Sequence, residues 1–130
     1  MLYTSFYYSK EVYTMLIVHP DGSVQLTRGD SAEFEILITN KVDNSTYTVQ
    51  AEDRLVLSMK KTLKDTAPVV LQKTITGSNL FVFEPSDTNS LSFGDYYYDV
   101  QMTTADGRVF TVIPPVLFKI TAEVTCSNDT

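Results

Sequence analysis

Apolar and polar positions alternate with a period of two along most of the chain, the spacing of β-strands that lay one face on a core. The run from Tyr96 to Thr103 shows it most cleanly: Tyr96, Tyr98, Val100 and Met102 fall on one face, Tyr97, Asp99, Gln101 and Thr103 on the other. The Asp106-Gly107 turn signal and the β-branched return Val109 to Ile113 make Tyr96 to Ile113 a predicted hairpin. Ala32 to Thr39 repeats the alternation with Phe34, Ile36 and Ile38 inward. Leu55, Leu57 and Met59 share a face within Arg54 to Lys61, which is predicted to pair with Tyr47 to Val49. Leu16 to Val18 and Ser23 to Thr27 are expected to form a hairpin across His19-Pro20-Asp21-Gly22, a turn sequence with a mechanism. Val69 to Ile75 and Leu80 to Glu84 are expected to do the same across Thr76-Gly77-Ser78-Asn79. Pro114-Pro115 cannot donate to a ladder and predicts an edge or a break before a last strand, Val116 to Thr125.

About nine strands result, with no helix of consequence, and the fold class is all-β: an immunoglobulin-like antiparallel β-sandwich. Leu91-x-x-Gly94-x-Tyr96 resembles the tyrosine corner of such sandwiches, in which a tyrosine hydroxyl bonds back to upstream backbone and Gly94 supplies the bend. Ser86-Asp87-Thr88 is placed to cap one short helical turn just before it. The sandwich is expected over 15–125, with an N-terminal extension or arm at 1–14 and a polar tail at 126–130.

Composition adds exclusions. At 130 residues the chain has the size of one domain with a self-sufficient core. Eight tyrosines, seven phenylalanines and no tryptophan favour strands. No apolar run approaches the roughly 20 residues of a spanning helix, so no membrane insertion is expected, and no secretory signal is evident. A net charge of -6 repels phosphate backbones, and the one basic cluster, Lys60, Lys61 and Lys64, is expected to be a solvated segment; nucleic acid is not an expected partner. The single cysteine, Cys126, cannot form an intrachain disulfide.

Candidate chemistry is sparse. A nucleophilic triad needs a base, and the one histidine, His19, sits in a turn; structural zinc needs more Cys and His than the chain holds. Asp95 and Asp99 would stand about 13 Å apart in one strand, too far for a catalytic carboxylate pair. No enzyme activity, metal or cofactor is expected. Arg28-Gly29-Asp30 has the form of a cell-adhesion tripeptide but is expected to be a strand-connecting turn, with Gly29 at positive φ. Of the three consecutive tyrosines, Tyr96 and Tyr98 are expected in the core and Tyr97 as a candidate surface contact, the one aromatic face free to stack on a sugar.

The order Leu26-Thr27-Arg28-Gly29-Asp30-Ser31-Ala32-x-Phe34, Tyr47-x-Val49, Asp53-x-Leu55, Phe83-x-Pro85-x-Asp87-Thr88, Leu91-x-x-Gly94-x-Tyr96-x-Tyr98-Asp99-Val100-Gln101, Gly107-Arg108-Val109-x-Thr111-Val112-Ile113, Phe118-x-Ile120 and Val124-Thr125 resembles the N-terminal domain of phage baseplate upper proteins, from tailed phages and prophages of Gram-positive bacteria. The likeness spans about Met15 to Thr125 and departs at Pro114-Pro115, where glycine would be expected. It implies a non-enzymatic virion module, assembled in the bacterial host cytoplasm into the tail, that contacts other baseplate proteins. Arg28, Gly29, Asp30, Asp87, Thr88, Leu91, Gly94, Tyr96, Tyr98 and Asp99 are its structural motif. A homo-oligomer is expected from the runs Leu80 to Phe83 and Val116 to Phe118, apolar on both faces. The alternative is a carbohydrate-binding or adhesin-type sandwich that touches a host surface. A third reading, an unrecognised enzyme, would require a deep pocket lined by paired carboxylates.

Overall fold

The computed structural model describes residues 3–9, 16–18, 21–40 and 42–122, with backbone alone for 3–9 and 17. His19, Pro20 and the 126–130 tail lie outside the described residues. Ten strands and one helical turn follow in order: β1 (Tyr3–Ser9), β2 (Leu16–Val18), β3 (Val24–Thr27), β4 (Ala32–Asn40), β5 (Thr46–Tyr47), β6 (Arg54–Lys60), β7 (Val69–Thr76), β8 (Leu80–Phe83), α1 (Pro85–Thr88), β9 (Gly94–Thr103) and β10 (Val109–Thr121). One sheet runs β1-β4-β5, with β8 also paired to β4; the other runs β2-β3-β10-β9-β6-β7. The chain crosses between sheets after β1, β3, β5, β7 and β8, which makes an immunoglobulin-like β-sandwich.

The alternation dictates which residues fill the space between the sheets. Phe34, Ile36 and Ile38 of β4, Leu55, Leu57 and Met59 of β6, Phe81 and Phe83 of β8, and Tyr96, Tyr98, Val100 and Met102 of β9 are buried. Four rings bridge the layers. The Phe34 and Tyr98 centroids are 6.1 Å apart edge to face, Tyr98 and Phe118 5.5 Å, Phe83 and Phe118 5.8 Å, and Phe34 and Phe83 6.5 Å. These separations lie in the range where aromatic pairs attract beyond their buried area.

Four details depart from the sequence expectation. Residues 76–79 do not close a hairpin: β7 pairs with β6 and β8 with β4, so the segment carries the chain from one sheet to the other. A turn signal says that the chain reverses and is silent on which sheet it then joins. Gly77 is required at this crossing, because at φ +70 an added Cβ would lie 2.9 Å from the Ala51 carbonyl oxygen. β5 likewise pairs with β4 and not with β6. The antiparallel rule fails once: β3 runs parallel to β10, which keeps Val24 and Leu26 in step with Phe118 and Ile120 on the core side.

The fourth departure is at the prolines. Val109–Thr121 is one strand, with Pro114-Pro115 inside it. Against β9 its register slips twice, between Thr111 and Ile113 and between Ile113 and Val116. Bulges of this kind excuse residues from the ladder, so two residues without N–H groups are accommodated and the strand continues. The first slip also lets the consecutive residues Val112 and Ile113 both point inward. Within 1–14, expected as an extension or arm, β1 runs antiparallel along β4 from Tyr3 opposite Asn40 to Ser9 opposite Phe34.

Candidate functional site

Most of the motif residues picked out in the sequence converge on one end of the sandwich, while Asp99 faces outward from the middle of β9. The turn after β3 brings Gly29, at φ 83°, against α1, where its N–H donates to the hydroxyl of the fully buried Thr88 at 2.8 Å. Arg28 reaches further: its guanidinium lies 4.1 Å from the centre of the Phe93 ring and donates to the Leu91 carbonyl at 3.4 Å. Half-buried and engaged on both sides, the Arg28-Gly29-Asp30 tripeptide is a structural turn.

The short helix is fixed at its start by Asp87, whose carboxylate accepts the Glu84 N–H at 2.8 Å and the Lys73 ammonium at 2.7 Å. Leu91 then donates its N–H to the Thr88 carbonyl at 2.9 Å, and Gly94 turns into β9 at φ 129°. The tyrosine corner is present: the Tyr96 hydroxyl donates to the Ser92 carbonyl at 2.9 Å. Tyr98, buried two residues on, donates its hydroxyl to the Gly22 carbonyl at 2.7 Å and so ties β9 to the turn before β3. Tyr96→Phe is expected to cost about 1 kcal/mol, the loss of one part-buried hydrogen bond, read as a lower urea midpoint at unchanged slope.

Residues facing outward on β9 form a second feature. Tyr97, Asp99 and Gln101 stand on the outer face of the six-stranded sheet, beside Ser58 and Lys60 of β6. The loop 61–68 rises next to them, and a groove of about 350 Å³ opens between loop and sheet, lined also by Leu63, Asp65, Val69 and Pro115. A second, shallower groove of about 540 Å³ lies across Tyr97, lined by Lys61, Thr62, Leu63, Lys64 and Asp95; Tyr97 and Leu63 border both. Lys60 at the end of β6, with Lys61 and Lys64 of the 61–68 segment, thus brings the basic cluster to this surface. Lys61 and Lys64 are exposed, and the Lys61 ammonium lies 4.3 Å from the centre of the Tyr96 ring.

Burial pushes the Asp99 carboxyl above the ordinary carboxylate range, and the charge of Lys60 pulls it part of the way back. The folded state therefore holds this proton to higher pH than the unfolded chain, so the ionised group opposes folding at neutral pH. That penalty disappears as pH falls through the folded-state pKa and then past 3.8, where both states are protonated. Asp99→Asn is accordingly expected to raise the melting temperature at pH 7 and to leave it unchanged near pH 3; thermal melts at the two pH values give the comparison.

Asp95, on the same strand face, pairs in register with Lys119 and does not line the groove that contains Asp99. Among the described residues no three His, Cys, Asp or Glu side chains are grouped to hold a metal ion. Lys60 and Ser58 are not recognisable from the sequence as neighbours of Asp99, because the pairing of β6 with β9 joins segments about forty residues apart and no local pattern encodes it. The same holds for Phe93, whose partner Arg28 lies in a turn some sixty-five positions earlier. No protein-family model matches the chain, and no curated protein is significantly similar to it.

Proposed function

We propose that this chain is a non-enzymatic structural module of a phage or prophage tail, a baseplate component that works by contact with other tail proteins and with copies of itself. The sequence order that resembles baseplate upper proteins supports this reading. The interlocking of Arg28, Gly29, Asp87, Thr88, Leu91 and Tyr96 at one end supports it further, since these residues are engaged in holding a scaffold together.

The observation that carries the contact role is on the outer face of the four-stranded sheet. Leu37 and Val82 stand there 36% and 40% exposed, with the partly buried Leu80 between them on the paired strand. Glu33 and Glu35 alternate with them on β4. Apolar side chains grouped outside a core and bordered by charge are what a protein-binding surface requires. β7 adds an eight-residue strand at the rim of the other sheet, paired on one side only among the described residues.

The genes adjoining this one on its native DNA test the reading. Tape-measure, distal-tail and lysis genes are expected; a setting among secreted polysaccharide-degrading or surface-anchored proteins would sink it. Sedimentation across a dilution series should show a concentration-dependent oligomer, and a monomer at every concentration would remove the self-association.

A further inference from the structure

We propose that the groove beside Tyr97 binds a saccharide, with the sugar ring against the Tyr97 side chain and its hydroxyls shared among Asp99, Gln101, Lys60 and Ser58. This goes beyond the assembly role and does not depend on it.

The groove volume, about 350 Å³, lies at the lower end of the range of small-ligand sites. Its polar groups differ in kind. Asp99 only accepts hydrogen bonds when ionised, Lys60 only donates, and Gln101 and Ser58 do both. Vicinal sugar hydroxyls, each a donor and an acceptor, match such a mixed set, and the apolar face of a pyranose suits an aromatic ring. Ser58 is already oriented, because the Gln72 side-chain amide of β7 donates to its hydroxyl at 3.0 Å.

Charge selects against anionic ligands. Asp99 and Asp65 both line the groove and disfavour an anion, while Lys60 beside Asp99 offsets part of that charge; a neutral polyol meets no repulsion. The partly buried Asp99 carboxylate is unfavourable for the fold, which is the behaviour of a group placed for binding. Because Tyr97 and Leu63 also border the second groove, a chain of sugars can continue across them toward Lys61 and Asp95. An oligosaccharide should therefore bind more tightly than a monosaccharide.

The test is a titration of the full-length ¹⁵N-labelled protein, followed by amide chemical shifts, with glucose, galactose, rhamnose, N-acetylglucosamine, maltotetraose and chitotetraose. At least one should give saturable shifts centred on residues 58–65 and 97–101, with a Kd of about 1 mM for a monosaccharide, the affinity of a dozen-atom ligand at ordinary efficiency. Tyr97→Ala should weaken binding about tenfold. Asp99→Asn should do likewise while giving a spectrum of a folded protein, since removing that charge relieves the fold. The proposal is overturned if no sugar of the panel gives saturable shifts at about 20 mM, well above that Kd. Shifts centred elsewhere, or an affinity that survives both substitutions, overturn it equally.

Discussion

Phe34→Ala is expected to destabilise the domain by about 3–5 kcal/mol, the usual cost of emptying a large aromatic site in a core. Phe34 is fully buried on β4, and its ring meets Tyr98 of the opposite sheet edge to face at 6.1 Å. The position of Tyr98 gives this contact its importance. In immunoglobulin domains the corner tyrosine precedes by two residues the cysteine that bridges the sheets. Here the corner tyrosine is Tyr96, so Tyr98 stands at the bridge position, and the chain's one cysteine, Cys126, lies elsewhere. The Phe34–Tyr98 pair, extended by Phe118 and Phe83, holds the layers together by packing where those domains use a covalent bond. Urea unfolding should show the loss as a lower midpoint at constant slope, and thermal unfolding as a drop of roughly 10–20 °C. Phe34→Leu, which leaves a smaller cavity, should fall between. A loss below about 1 kcal/mol for alanine would mean that the sheets do not depend on this ring.

Asp53→Ala is expected to cost about 2–4 kcal/mol, more than Tyr96→Phe, because it removes two hydrogen bonds to a charged acceptor. Asp53 is 2% exposed at the start of β6, yet it carries four connections. Its carboxylate accepts the Tyr47 hydroxyl and, at 2.8 Å, the Gln50 N–H. Its own N–H donates to the Gln50 carbonyl at 3.0 Å, and its carbonyl accepts the Gly77 N–H at 2.9 Å. One residue thereby joins β5, the loop into β6 and the crossing from β7 to β8. Hydrogen bonds to a charged acceptor are stronger than neutral ones, and alanine would leave both donors without this partner at a partly buried site. Asp53→Asn keeps one acceptor oxygen and should recover part of the loss; equal destabilisation by the two substitutions would contradict a role for these hydrogen bonds. Hydrogen exchange offers a second check, since protection of the Gln50 and Gly77 amides should fall first.

The inward faces of β4, β6 and β9 were legible because one wet side forces strict alternation, and the Asp-Gly and Pro-Asp-Gly turns fixed two hairpins. Tyr97 and Asp99 were legible as outward residues by the same parity. Their partners were not. Ser58 and Lys60 reach them only through the β6–β9 register, and the 61–68 loop only through the geometry of the edge. The crossing at Gly77 has the composition of a hairpin turn, and what distinguishes it is its close approach to Ala51, a contact outside the local sequence. Pro114-Pro115 has the appearance of a strand end because local rules forbid ladder donation there; the bulges that accommodate it are set by how β10 wraps over β9. The Arg28-Gly29-Asp30 turn was legible as a turn, while its coupling to Thr88 and Phe93 spans some sixty positions and is a property of the assembled end.

An interlocked scaffold with an apolar outer patch is suited to being one fixed part of a larger body, and the Tyr97 groove would let the same part touch a glycan. The chain is proposed to belong to a virion tail. Quantitative mass spectrometry of purified particles, released from the bacterium that carries the gene, tests it most directly. Peptides of this chain are expected in the particles at a fixed ratio to the tail proteins, retained through gradient purification. Complete, infectious particles that lack the chain, while it accumulates in the cell, would contradict that claim.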